Sequence, residues 1–139
     1  MDSVRIGFVG VGGMGQSAHL RNYPTIEGCE VTAIAEIRKN TAARVAERYG
    51  VPKVYSNHEE MLAGEELDGI VASHPNTRHG LLVPELLKAG IPVFTEKPLS
   101  GCLECGRQIV DAVKDSGTWM MIGYHKRSDP ASMYAKAEV

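Results

Sequence analysis

Hydrophobic and polar positions along this chain alternate between two periods. Short apolar runs rich in β-branched residues occupy residues 4–9, 30–36, 53–55, 69–72, 91–95 and 119–123. Each reads as a strand. The segments between them carry apolar residues at helical spacing. The first run ends on a glycine-rich turn, and a helix is expected over about residues 13–22, stopped by Pro24. Ala42, Val45, Ala46 and Tyr49 share one face of a helix that starts after Asn40 and closes at Gly50 and Pro52. Ser56-Asn57-His58-Glu59 has capping-box spacing and opens a short helix to about Ala63. His79, Leu82, Val83, Leu86 and Leu87 recur as on a helix packed against a sheet. Pro84 sits inside that helix, and its ring presses on the carbonyl of Gly80, where a small residue eases the clash. A last helix is expected over residues 102–116.

Apolar strands separated by helices imply an α/β fold, a doubly wound parallel sheet of the Rossmann type covered on both faces. Residues 1–123 make that domain. Residues 124–139 break the alternation and read as the start of a second, substrate-binding domain that the chain does not contain.

Length and charge narrow the picture without changing it. The 139 residues suffice for one domain with a real core. Fifteen basic and 17 acidic residues are interspersed, for a net charge of −2, which argues against a nucleic-acid surface or a polybasic membrane anchor. No apolar stretch is long enough to span a membrane. Met1-Asp2-Ser3 does not open an export signal. Three sparse cysteines make no disulfide framework, so a cytoplasmic protein is expected.

The candidate chemistry begins at Gly10-Val11-Gly12-Gly13-Met14-Gly15. A glycine at the first of these positions permits a tight turn, one at Gly12 lets backbone approach a phosphate, and one at Gly15 lets helix and strand pack closely. Amides at the start of the following helix then face a pyrophosphate, which the helix dipole favours. Glu36 ends the second strand 21 residues after Gly15. A carboxylate there accepts ribose hydroxyls and repels a 2′-phosphate, which points to NAD. NADP stays the alternative, because Arg38 would meet a 2′-phosphate if Glu36 turned away. No metal site is expected.

Further motifs sit at the carboxyl ends of later strands, where open α/β sheets bind ligands. These are His74-Pro75-Asn76-Thr77-Arg78-His79, Thr95-Glu96-Lys97-Pro98 and Gly123-Tyr124-His125-Lys126-Arg127. In this order, and with the glycine loop, the chain resembles the glucose–fructose oxidoreductase/inositol dehydrogenase (Gfo/Idh/MocA) family over about residues 3–130. The resemblance implies a hydride transfer between nicotinamide and a secondary alcohol of a sugar or polyol. Lys97 would be the catalytic residue, orienting or polarising the substrate hydroxyl. Glu96 and Pro98 would shape the turn, with Pro98 in a cis peptide bond. Pro75, Asn76 and His79 would line the nicotinamide-ribose side, and His125 would stand where relatives often carry asparagine. With Gly13, Met14 and Ile37 flanking the loop and Glu36, these residues form the expected dinucleotide site. His79 has a second reading as a satisfied histidine at a helix end, and Tyr124 reads as a packing residue.

Two features depart from the family pattern. Cys102-Leu103-Glu104-Cys105 stands where relatives commonly open the helix with a threonine, and a thiol caps less well than a hydroxyl. Relatives also continue into a domain that binds substrate and self-associates, so a homo-oligomer is expected of the longer protein. Two other readings remain open at this stage: a stand-alone NAD-binding module that senses the dinucleotide or serves a separate partner, and an NAD-dependent glycosidase.

Overall fold

The computed structural model describes residues 3–139; Met1 and Asp2, part of the expectation about export, lie outside the described residues. Six parallel strands form one sheet in the order β3-β2-β1-β4-β5-β6. They are β1 (Val4–Val9), β2 (Cys29–Ala35), β3 (Lys53–Tyr55), β4 (Gly69–Ala72), β5 (Val93–Thr95) and β6 (Met120–Ile122). The helices are α1 (Lys39–Tyr49), α2 (His58–Gly64), α3 (His79–Leu87), α4 (Leu103–Ser116) and α5 (Pro130–Ala137). The doubly wound architecture expected from the alternation is therefore present. Because β1 is flanked by β2 on one side and β4 on the other, the crossovers diverge at its carboxyl end. That divergence opens the crevice in which such sheets bind ligands.

The sheet is covered on both faces. Ile6, Phe8, Leu20, Ile34 and Val45 pack on one side, and Met61, Ile70, Val83, Leu86 and Ile109 on the other. Burying each such side chain contributes about 1.5–3 kcal/mol. Alternation along β2 is interrupted: Ile6 pairs with Val31 and Gly7 with Ala33, so Thr32 is the extra residue of a bulge. The slip lets Val31 and Ile34 share one core and leaves the Thr32 hydroxyl buried without a partner among the described residues.

Several local expectations need correction. The segment after the glycine loop is not a regular helix to residue 22. After Gly13 and Met14 it widens into a π-helix over Gly15–Leu20, whose closing bond runs from Arg21 N–H to the Gln16 carbonyl at 3.2 Å. The capping box is one residue later than its spacing suggested. Asn57 is the cap and accepts from Glu60 N–H at 2.8 Å, while Glu60 reaches back to Ser56 N–H. Gly80 answers to helix packing: a Cβ there would lie 2.8 Å from Cys105 Cβ on α4. The Cys102 thiol does cap α4, accepting from Cys105 N–H at 3.3 Å.

Beyond β6 the chain makes a 3₁₀ turn, His125–Ser128, and then α5, capped by Asp129. Every residue of α5 is exposed.

Candidate functional site

A cleft of about 880 Å³ runs along the carboxyl ends of the central strands, from Glu36 and Arg38 past the glycine loop to Glu96 and Lys97. The loop divides its glycines between two duties. Gly10 has φ +81°, and a Cβ on it would lie 3.1 Å from the His74 backbone. Gly15 faces Ser73 Oγ and the Gly10 carbonyl, at 2.9 and 3.0 Å from the position of a Cβ. Those two are demanded by the turn and by packing. Around Gly12 and Gly13 a Cβ would meet nothing within 4 Å. Both line the cleft with positions that the fold leaves open, where a phosphate would approach the backbone. Met14, half exposed, stands at the rim.

Glu36 is buried, and each of its oxygens already accepts two hydrogen bonds. Oε1 takes Arg38 N–H at 3.0 Å and Arg38 Nε at 2.8 Å; Oε2 takes Val11 N–H at 3.1 Å and an Arg38 Nη at 2.9 Å. The Arg38 fork, assisted by the two backbone amides and opposed by burial, holds the carboxyl at about 2. This modifies the expectation of a carboxylate waiting for ribose. Of these partners the Arg38 guanidinium is the most accessible, its side chain being more than half exposed. Ile37, largely exposed, lines the cleft beside it.

At the other end Pro75, Asn76 and Lys97 are exposed on the cleft wall. The Lys97 amine has no hydrogen bond or ion pair among the described residues. The Lys97–Pro98 peptide is cis, as the family resemblance implies. Glu96 turns inward, and His19 Nε2 donates to its Oε1 at 2.9 Å. Periodicity does not single out His19. The available signal was its place four residues after Gly15, on the helix face that meets the sheet.

Two histidines lie beneath this wall. His79 is fully buried, and its Nδ1 donates to the Leu99 carbonyl at 3.1 Å, which supports its reading as a satisfied helix-end residue bordering the cleft. His74 meets it edge to face at 5.0 Å between ring centroids. Both ring nitrogens of His74 are buried without a partner among the described residues. Desolvation, then the nearby His79 and Arg78 charges, lower its pKa to about 4.

The placement of His125 is a correction. It begins the 3₁₀ turn after β6, is exposed, and is not among the residues lining the cleft. Pairing of β6 with β5 persists to Gly123, whose N–H donates to the Thr95 carbonyl at 2.8 Å, and the chain then turns outward. Tyr124 is likewise half exposed. His58 and Glu59 also line the cleft, and with Glu85 they form a cluster: His58 Nε2 meets Glu85 at 3.2 Å and Nδ1 meets Glu59 at 3.3 Å. Opposite ring nitrogens engage separate carboxylates, which makes a clamp between α2 and α3.

A parallel six-stranded sheet with a glycine loop at its switch point and an acidic residue ending β2 defines a dinucleotide-binding Rossmann domain. The chain belongs to the Gfo/Idh/MocA oxidoreductase family, NAD-binding Rossmann fold, whose profile matches residues 4–124. It is 30% identical to inositol 2-dehydrogenase of Rubrobacter xylanophilus over 99% of this chain and 40% of that protein. It is 28% identical to scyllo-inositol 2-dehydrogenase (NAD(+)) of Bacillus subtilis, over 98% of this chain and 40% of that protein. Among solved structures, myo-inositol 2-dehydrogenase from Lactobacillus plantarum superposes with a TM-score of 0.88 at 25% identity, covering 98% of this chain and 40% of that one. The chain thus spans about 40% of the length of these relatives. No described helix is long and apolar enough to cross a membrane.

Proposed function

We propose that this chain is the cofactor domain of an NAD-dependent dehydrogenase that oxidises a secondary alcohol of an inositol or related polyol. The observation that carries the reading is the continuous cleft joining open Gly12 and Gly13 to the Lys97 amine, which has no partner among the described residues. In that cleft NAD would supply the hydride acceptor. Backbone amides after Gly12 would hold its pyrophosphate, and Glu36 its adenosine ribose. Lys97 would meet the substrate hydroxyl, orienting it and easing removal of its proton while the carbon gives up hydride. Glu96, held by His19, would keep the turn that presents Lys97.

NAD is favoured over NADP. A 2′-phosphate would face the buried Glu36 carboxylate, and the two like charges would repel. Residues 124–139 would begin the substrate domain, and the longer protein would self-associate and complete the active site there. Three free cysteines suit a reducing, cytoplasmic setting.

Two measurements test this reading. Calorimetric titration of the chain should show NAD binding at least tenfold tighter than NADP; equal affinities would reject the Glu36 assignment. In the protein encoded by the full reading frame, a polyol panel should reveal NAD reduction, and Lys97→Ala should lower kcat at least 100-fold. Intact turnover in that variant would remove Lys97 from the chemistry.

A further inference from the structure

The Cys102/Cys105 pair is not used by the dinucleotide cleft, and its geometry differs from that of the third cysteine. Cys102 is exposed at the N-cap of the 14-residue helix α4, and Cys105 is one turn on. The Cys102 sulfur accepts the Cys105 N–H at 3.3 Å, so it is folded back over the turn of α4 that carries Cys105. Cys105 is also pinned from behind, with its sulfur against Gly80 of α3, where a Cβ would approach within 2.9 Å. An open groove of about 620 Å³ lies in front of Cys102, with Leu103 and Val110 along it and Arg107 and Lys114 at its edge. Lys114 is bridged to Asp111, whereas Arg107 has no ion-pair partner among the described residues. Cys29 is far from this arrangement in sequence and partly buried.

We infer that Cys102 and Cys105 are a redox-active dithiol that exchanges with small anionic disulfides such as glutathione disulfide. Exposed Cys102 attacks. Its thiolate forms a bond to one sulfur of the disulfide and expels the other half as a thiolate, leaving a mixed disulfide on Cys102. Cys105 then gives up its proton, attacks the Cys102 sulfur and expels the second half. The protein loses two electrons and two protons, and one small disulfide becomes two thiols. Arg107 faces the groove with a free guanidinium and would hold a carboxylate of the incoming molecule. In a reducing compartment the closed form would be transient and regulatory, because ambient thiols reopen an exposed disulfide.

The test uses the chain with Cys29→Ser, equilibrated in glutathione buffers of graded ratio, acid-quenched and read by peptide mass spectrometry. The expected product is a Cys102–Cys105 disulfide that forms and reopens reversibly as the ratio is cycled. Cys105→Ser should instead accumulate glutathione on Cys102, and Cys102→Ser should accumulate neither species. Arg107→Ala should slow closure by glutathione disulfide several-fold while leaving closure by an uncharged disulfide unchanged. Two reduced thiols throughout, or a mixed disulfide on Cys102 that Cys105 never resolves, would overturn the inference. Circular dichroism and thermal melting of each variant identify any that fails to fold, and the reduced parent's own failure to close is decisive without them.

Discussion

At the Glu36 end of the cleft both carboxylate oxygens are engaged, whereas at the Lys97 end several polar atoms have no partner among the described residues. Glu36 accepts four hydrogen bonds from Val11 and Arg38. Across the cleft the Lys97 amine is free among the described residues, and both nitrogens of His74 are buried and unsatisfied. A buried polar group without a partner costs about 1–3 kcal/mol, so the second arrangement is tolerated at the expense of stability. The contrast teaches what each end is for. The Glu36 end stiffens the glycine loop before any ligand arrives, since the Val11 amide inside the loop is one of its donors. The Lys97 end keeps its polar groups available.

The largest expected effect is at the loop that joins the two ends. Gly12→Leu should weaken NAD binding about 100-fold or more, roughly 3 kcal/mol, while leaving thermal stability unchanged, since a Cβ there meets no protein atom. Calorimetry with a parallel melt checks both halves of this. Unchanged affinity would detach the loop from the cofactor altogether.

Acid titration should then separate the ends by pH window. His74 has its pKa lowered from 6.5 to about 4 in the folded chain. The unfolded state therefore takes up a proton that the folded state refuses. Stability falls as pH drops from 6.5 and levels off near 4, with a total loss of up to about 3 kcal/mol. Glu36 works lower. Its folded pKa is depressed from 4.5 to about 2, so its contribution is whole above 4.5 and disappears as pH falls through about 2. Urea unfolding at stepped pH should show both declines. His74→Asn should flatten the upper one and spare the lower; a variant that retained both would show that His74 is not the group responsible.

A smaller effect is expected from Glu36→Gln at neutral pH, about 1–2 kcal/mol of lost stability, because the Arg38 fork then faces a neutral amide. The smallest belongs to Lys97→Ala, within about 0.5 kcal/mol of the parent by the same unfolding measurement. A large destabilisation there would mean that Lys97 has a structural partner and would blur the contrast between the two ends.

Much of this architecture was legible along the chain. The strands and the α1, α3 and α4 helices fall within a residue or two of the hydrophobic pattern, and the glycine loop and Glu36 sit at the strand ends that their spacing implied. Local chemistry suffices for such features: a period of two or of 3.6, a proline that stops a helix, a glycine in a turn. Failures came where a side chain answers to something distant in sequence. Gly80 was read only against Pro84, and its packing on Cys105 of another helix had no local signal. His125 lay in a motif with the right order, but pairing of β6 on β5 turns the chain outward after Gly123 and leaves it off the cleft. His19 was silent until the π-helix set it against Glu96, 77 residues away.

The sequence by itself therefore determined the α/β alternation, the parallel sheet and the place of the dinucleotide loop, because periodicity and backbone conformation are local properties. Only the tertiary structure decided which polar groups are spent and which are free. It engaged Glu36 with Arg38, left His74 without a partner among the described residues, and set the Cys102 sulfur over the Cys105 amide beside an open groove. Those outcomes depend on desolvation and on contacts between elements, and neither exists until the chain has folded.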